Sequence, residues 1–187
     1  MAKVGDMINN PVTGEHITFL KTAQDTGGSL LQVEEAAQPS GFPVGGAAHI
    51  HPKQEEHFKV LSGQLRVWLD SHEHNLTTGD EFIIPLGTPH YWINTGTEEV
   101  RVIVEFRPAL RWEMLFETMF GLARDGKTDK QGRPNPFQMA VIFDAFKDEA
   151  APVATADRLL FKLIPLLAIF GRLMGYKAHY SEYTQQA

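Results

Sequence analysis

The sequence contains no cysteine. That excludes a disulfide framework, a cysteine nucleophile and any zinc or iron–sulfur site built on thiolates. It also has no surplus of basic charge. Seventeen Lys and Arg stand against 23 Asp and Glu, a net charge of −6, which argues against a nucleic-acid partner. No uninterrupted apolar run reaches the about 20 residues that a membrane-spanning helix needs. The most apolar stretch, residues 158–175, is broken by Lys162, Pro165 and Arg172. The opening Met-Ala-Lys-Val-Gly-Asp lacks the apolar core of a signal peptide, so the expected compartment is cytoplasmic. What is present is globular: 187 residues, 43% apolar and 21% charged, one ordinary domain in length and able to bury a core without staples.

Composition changes near Pro108. Residues 1–108 hold seven Lys and Arg against fourteen Asp and Glu, whereas residues 109–187 hold ten against nine. The first part carries seven of the eight histidines, and its apolar residues fall in short alternating runs between turn residues. Eight or so such runs, from His16–Leu20 to Val100–Arg107, predict a mainly β sandwich or barrel over 1–108. Gly63 and the stretch Ser71–Asn75 read as tight turns. Beyond Pro108 the spacing becomes helical. Helices are expected over Leu110–Arg124, stopped at Gly126, and over about Phe137–Lys147 after the breaker Gly132–Pro136. A last one is expected from Thr155 or Asp157 to about Gly175. The expected organisation is a β-barrel at 1–108 and a helical extension at 109–187, packed on the barrel or on a partner subunit.

The chemistry concentrates in His49-Ile50-His51-Pro52-Lys53-Gln54-Glu55-Glu56. Histidines at i and i+2 on a strand share a face. Imidazole with carboxylate suits a divalent first-row metal. In the run that follows, Glu56, Phe58 and Val60 alternate with Glu55, His57 and Lys59. The second set is wholly polar and reads as solvent-facing, so Glu56 points inward, where a carboxylate needs a partner that a metal supplies. Glu55 is outside. A fourth ligand comes from the segment Gly79–Asn94, where Pro85-Leu86-Gly87 reads as a turn and His90, Trp92 and Asn94 would share a face of the next strand.

These two segments resemble the paired motifs of the cupin superfamily. His49-x-His51-x4-Glu56-x6-Gly63 is similar to the first motif, and Gly79-x5-Pro85-x-Gly87-x2-His90-x3-Asn94 to the second. Where the family has a leading glycine, this sequence has Pro43, with Gly41, Gly45 and Gly46 nearby. The resemblance implies a small double-stranded β-helix barrel, jelly-roll-like. It implies that His49, His51, Glu56 and His90 bind one divalent transition metal, with Fe, Mn, Ni, Co, Cu and Zn all open. It implies activities of the kind found in quercetinase-type dioxygenases, oxalate-type decarboxylases and diketone-type oxygenases. The leading expectation is an oxygen-using oxidoreductase, dioxygenase-like, acting on a small organic substrate, with Glu56 as ligand and general base. The alternative is a non-catalytic module that binds or senses a small ligand.

Other features read more plainly. Phe58 and Trp92 are candidates for the substrate pocket, and filling the barrel is their bland alternative. Gly79, Pro85 and Gly87 serve backbone geometry, and Asn94 a strand end. His72-Glu73-His74 repeats the two-histidine spacing but lacks a following ligand pattern, so it reads as a solvated turn. His16, His57 and His179 read as surface residues. The surplus of apolar helix, with the resemblance, leads to the expectation of a homodimer. The last helix is also apolar enough to lie on a membrane surface.

Overall fold

The computed structural model describes residues 2–39, 48–153 and 158–184, with the side chains of 158–161 excepted. Strands dominate up to Arg107. β1 (Met7–Asn10), β2 (Glu15–Lys21) and β3 (Leu31–Ala37) are followed by β4 (His49–Ile50), β5 (Glu55–Ser62) and β6 (Gln64–Leu69). Then come β7 (His72–Thr77), β8 (Glu81–Ile84), β9 (His90–Asn94) and β10 (Val100–Arg107). The remainder is α1 (Trp112–Arg124), α2 (Pro136–Ala145), β11 (Ala151–Pro152), α3 (Arg158–Leu173) and α4 (Ser181–Thr184). The fold is mainly β with helices at the carboxy-terminal end.

Two antiparallel sheets face each other, one ordered β1-β2-β3-β10-β5-β8 and the other β11-β4-β9-β6-β7. The period-two pattern drives this, because each strand can bury only its apolar face. Phe58 and Val60 of β5 pair in register with Val104 and Val102 of β10, and all four are buried. From the opposite sheet Leu65, Val67 and Trp92 close the same core. Gly63, at φ +85°, makes the β5–β6 turn, and a Cβ there would come within 2.9 Å of the Val100 Cα.

His72–His74 departs from expectation. These residues form the first half of β7, paired along β6, rather than a turn. The chain reverses at Asp70–Ser71, with Asp70 in the left-handed region (φ +56°). β7 is an edge strand whose only buried side chain is Leu76. Its polar composition therefore reflects outward-facing positions rather than a loop.

The extension is tied into this framework. α1 is buried on most of its circumference and stacks Trp112 on Phe106 of β10, ring centroids 4.5 Å apart. Gly126 (φ +67°) ends it, with Lys127 N–H donating to the Leu122 carbonyl at 2.9 Å. α2 starts at Asn135, whose side chain accepts from Phe137 and Gln138 N–H, with Pro136 in the first helical position. The expected start signals of the last helix, Thr155 and Asp157, lie outside the described residues. α3 buries Ala168 against Ala140 and Val141 of α2. β11 was not foreseen: its two residues extend the second sheet by pairing with β4.

Candidate metal centre and its cleft

His49 of β4 lies directly opposite His90 of β9 in the ladder. His51 follows two residues on, and Glu56 enters from β5 in the facing sheet. Sheet register thus brings together four residues separated by up to 41 positions in sequence. One potential ligand atom from each lies within 4.8 Å of all the others, so the four form a group able to hold a metal ion. The three imidazole centroids are 4.3 to 4.9 Å apart. His51, Glu56 and His90 are buried, and His49 is half-buried. Glu55 is exposed and pairs with His57 at 3.3 Å on the outer face.

The hydrogen bonds show why a cation belongs here. His51 Nδ1 donates to the Glu149 carbonyl at 2.8 Å, and His90 Nδ1 donates to the Thr88 carbonyl at 2.9 Å. A carbonyl only accepts, so in each neutral ring the proton sits on Nδ1 and Nε2 carries a lone pair. Both Nε2 atoms approach Glu56 Oε2, at 3.1 and 3.0 Å. His90 Nε2 is buried and has no partner in hydrogen-bonding geometry. Lone pairs converging on a carboxylate oxygen are unfavourable unless a cation lies among them. Protons or a metal ion can fill that role.

The titration shifts follow the same logic. Burial alone would raise the Glu56 carboxyl, but His51 and His90 beside it hold it far below the ordinary carboxylate range. Burial opposes the charge on His90, yet the Glu56 carboxylate beside it raises its pKa. Metal–nitrogen and metal–oxygen bonds of about 2.0–2.2 Å set ligand atoms at most about 4.4 Å apart. The observed spread needs to close by only a few tenths of an ångström, so the residues fit a metal.

Residues 38–106 match the family described as Cupin domain. The chain is 31% identical over 157 residues to "Probable oxidoreductase virH" of Hypocrea virens, covering 79% of this chain and 69% of that protein. The chain belongs to the cupin family. "Oxidoreductase AOL_s00215g277" of Arthrobotrys oligospora is 28% identical over 148 residues, covering 73% of this chain but only 58% of its own length. Among solved structures, an RmlC-like cupin from Shewanella frigidimarina superposes with a TM-score of 0.47 at 22% identity, covering 57% of this chain and 86% of its own.

Outside the cupin motifs, the carboxy-terminal extension supports the metal group in three ways. β11 pairs with β4, setting Pro152 opposite His49. The Glu149 carbonyl orients His51, and the Glu149 carboxylate is held in a fork by Arg111, at 2.7 and 3.0 Å. Arg111 also donates to the Ala145 carbonyl and lies over the Phe146 ring. On the other side of His51, Trp112 packs edge-on with ring centroids 5.2 Å apart. Its Nε1–H donates to Gln54 Oε1 at 2.6 Å, and Gln54 Nε2 donates to the carbonyls of Pro108 and Ala109. Sequence reading did not pick out Gln54, Arg111, Trp112 or Glu149. Gln54 lies inside the first motif, but no local spacing links Arg111, Trp112 or Glu149 to the histidines; only the fold does.

A cleft of about 1160 Å³ opens at His49. Its barrel side includes Asn10, Thr13 and His49, and its far side is built from α1, α2 and the 126–136 loop. Trp92 and Phe58, the pocket candidates, are both 2% exposed and pack edge-to-face against each other inside the barrel. Neither lines this cleft. Asn94 is structural: its side chain donates to the Ala37 and Glu98 carbonyls and accepts from Gly96 N–H. His72 and His74 are not part of the metal group; His74 packs on Phe82.

Proposed function

We propose that this cupin is a metal-dependent oxidoreductase that uses molecular oxygen on an organic substrate, with a dioxygenase-like reaction. The observation that carries the reading is the convergence of the His51 and His90 Nε2 lone pairs on Glu56, beside an open cleft. His49, His51, Glu56 and His90 would hold one divalent transition metal. When bound, such a metal supplies a Lewis acid and a redox centre at which an oxygen-donor substrate and oxygen can meet. The protein's own part is to orient the imidazoles through the Glu149 and Thr88 carbonyls. The surrounding Phe106 and Trp112 rings exclude water around His51. Glu56 is the candidate base: a carboxylate that swings off the metal can take a proton from a substrate held beside it. The two oxidoreductase-named relatives support the reaction class.

The testing experiment is oxygen consumption by protein reconstituted separately with iron, manganese, nickel, cobalt and copper. Catechol, diketone and flavonoid substrates are supplied in turn. Uptake that requires both metal and substrate is expected. No uptake with any combination removes the enzyme reading and leaves a ligand-binding module. The expected homodimer and the membrane-surface contact both depend on α3, whose outward face carries exposed Leu166, Ile169, Phe170 and Leu173. Among the described residues no helix is long and apolar enough to cross a membrane.

A further inference from the structure

We infer that the carboxy-terminal extension turns the cleft into the binding site for the body of the substrate. That substrate is an uncharged, largely apolar molecule of drug-like size with metal-binding oxygens at one end. This rests on the metal reading above for the oxygen end and on the cleft itself for the rest.

The walls decide the chemistry. α1 contributes Trp112, Leu115 and Met119. α2 contributes Met139, Ile142, Phe143 and Phe146. Such a surface gains free energy by covering apolar area and little by meeting a charge. The charged side chains that border it are Lys127, Asp129 and Arg133, and they are already committed. Arg133 pairs with Asp129 at 2.9 Å, and Lys127 with Asp125 at 2.7 Å. Among the described residues, the cleft therefore presents no uncompensated cation to receive a carboxylate or a phosphate. A small dicarboxylate would gain only its contact with the metal.

Size points the same way. At about 1160 Å³, the cleft exceeds the roughly 300–1,000 Å³ typical of sites for drug-sized ligands. A two-carbon acid would leave nearly all of it filled with water against apolar walls. Two methionines in the lining add a surface that adapts to different shapes. The metal group meets the cleft at His49, the one ligand candidate that is only half-buried. A molecule bound there places its polar end at the histidines and its apolar end between α1 and α2.

The experiment measures binding, not turnover, by calorimetric titration of zinc-loaded and of chelator-treated protein. The probes are catechol, 4-butylcatechol, 4-octylcatechol and oxalate. Affinity is expected to rise roughly two- to fourfold per added methylene. The increment should be the same in both preparations, and oxalate should bind more weakly than 4-octylcatechol. Phe143→Arg, which sets a charge in the wall, should abolish the increment. Met139→Ala, a milder change, should lower 4-octylcatechol affinity severalfold and leave catechol unchanged. Equal affinity across the alkyl series, tighter binding of oxalate, or a full increment in both variants would overturn the inference. A chain-length increment in protein that takes up no metal would retain the cleft and remove the metal reading. Metal uptake without the increment would do the reverse.

Discussion

The Nδ1–H of His51 is held by the main-chain carbonyl of Glu149, 98 residues away in sequence, at 2.8 Å. That carbonyl is fixed in turn because the Glu149 carboxylate, 1% exposed, lies in the fork of Arg111. The candidate metal centre of the barrel is thus oriented from a segment outside it. Groups that orient a ligand imidazole commonly change metal affinity about 10- to 100-fold.

Arg111→Ala should therefore weaken metal binding by about 10- to 100-fold in a competition titration with a chelator. It should also lower stability. The cost expected is about 1–3 kcal/mol, less than for a fully buried pair, because the Arg111 side chain is 48% exposed. Glu149→Gln keeps the shape and the carbonyl and should have a smaller effect on both. Lower stability with unchanged metal affinity would show that the pair braces the fold without orienting His51.

The two adjacent glutamates offer a sharp contrast. Glu56 is buried among the histidines, whereas Glu55 lies outside. Glu56→Ala, like His49→Ala, His51→Ala and His90→Ala, should reduce metal content sharply when the purified protein is assayed by elemental analysis. Glu55→Ala and His74→Ala should leave it unchanged. Glu56→Gln should retain part of the metal and lose oxygen consumption by a further factor of about 10²–10⁴, the usual contribution of a positioned base. Activity that only tracks metal content would limit Glu56 to a ligand's role.

These assignments show what the sequence makes legible. Period-two alternation suffices to turn Glu56 inward and Glu55 outward, because one face of β5 is apolar and the other is not. The same logic misplaces His72–His74: both faces of an edge strand can be polar, so β7 has the composition of a turn. Trp92 and Phe58 share faces with ligand candidates, but a shared face does not tell cavity lining from core filling. In the structure they pack on each other. The cleft is a different case. It forms where α1 and α2 meet the barrel end, and helix placement around a barrel is set by tertiary packing that no local periodicity encodes. The apolar positions of α1 were readable; what they cover was not.

Glu35 of β3 makes a pH prediction. It is buried on the inner face with Glu15. Burial, followed by the charge of Glu15 and a hydrogen bond with it, pushes its carboxyl well above the usual 4.5, with Glu56 adding to the effect. The folded chain then keeps a proton that the unfolded chain releases, so ν in the native state exceeds ν in the unfolded state. Stability must fall as pH rises from about 4.5 toward the raised native value, and is full below that window. Glu35→Gln should remove this loss. Denaturant unfolding of both proteins across pH 4 to 8, without metal, should show a difference in favour of the variant that grows with pH. Histidine titration is common to both and cancels. A difference independent of pH would mean that Glu35 is ionised in the fold.

The last prediction separates the two faces of α3. On the inner face Gly171 meets α2 so closely that a Cβ would lie 2.7 Å from both the Phe137 carbonyl oxygen and Val141 Cγ2. Gly171→Ala must push the helices apart, and overpacking of this kind costs typically about 1–3 kcal/mol. On the outer face Leu166, Ile169, Phe170 and Leu173 are 50–79% exposed. Changing Leu166 and Phe170 to Gln together should alter the melting temperature little, since surface substitutions usually stay within about 0.5 kcal/mol. Yet the same pair removes much of the apolar stripe. If the stripe forms the expected homodimer, light scattering should show the double variant at half the mass of the parent while Gly171→Ala keeps the parent's mass. A parent that is already monomeric, and whose flotation with anionic vesicles is lost in the double variant, would assign the stripe to a membrane surface. A large loss of stability in the double variant with the parent's mass unchanged would show that the outer face is packed within one chain.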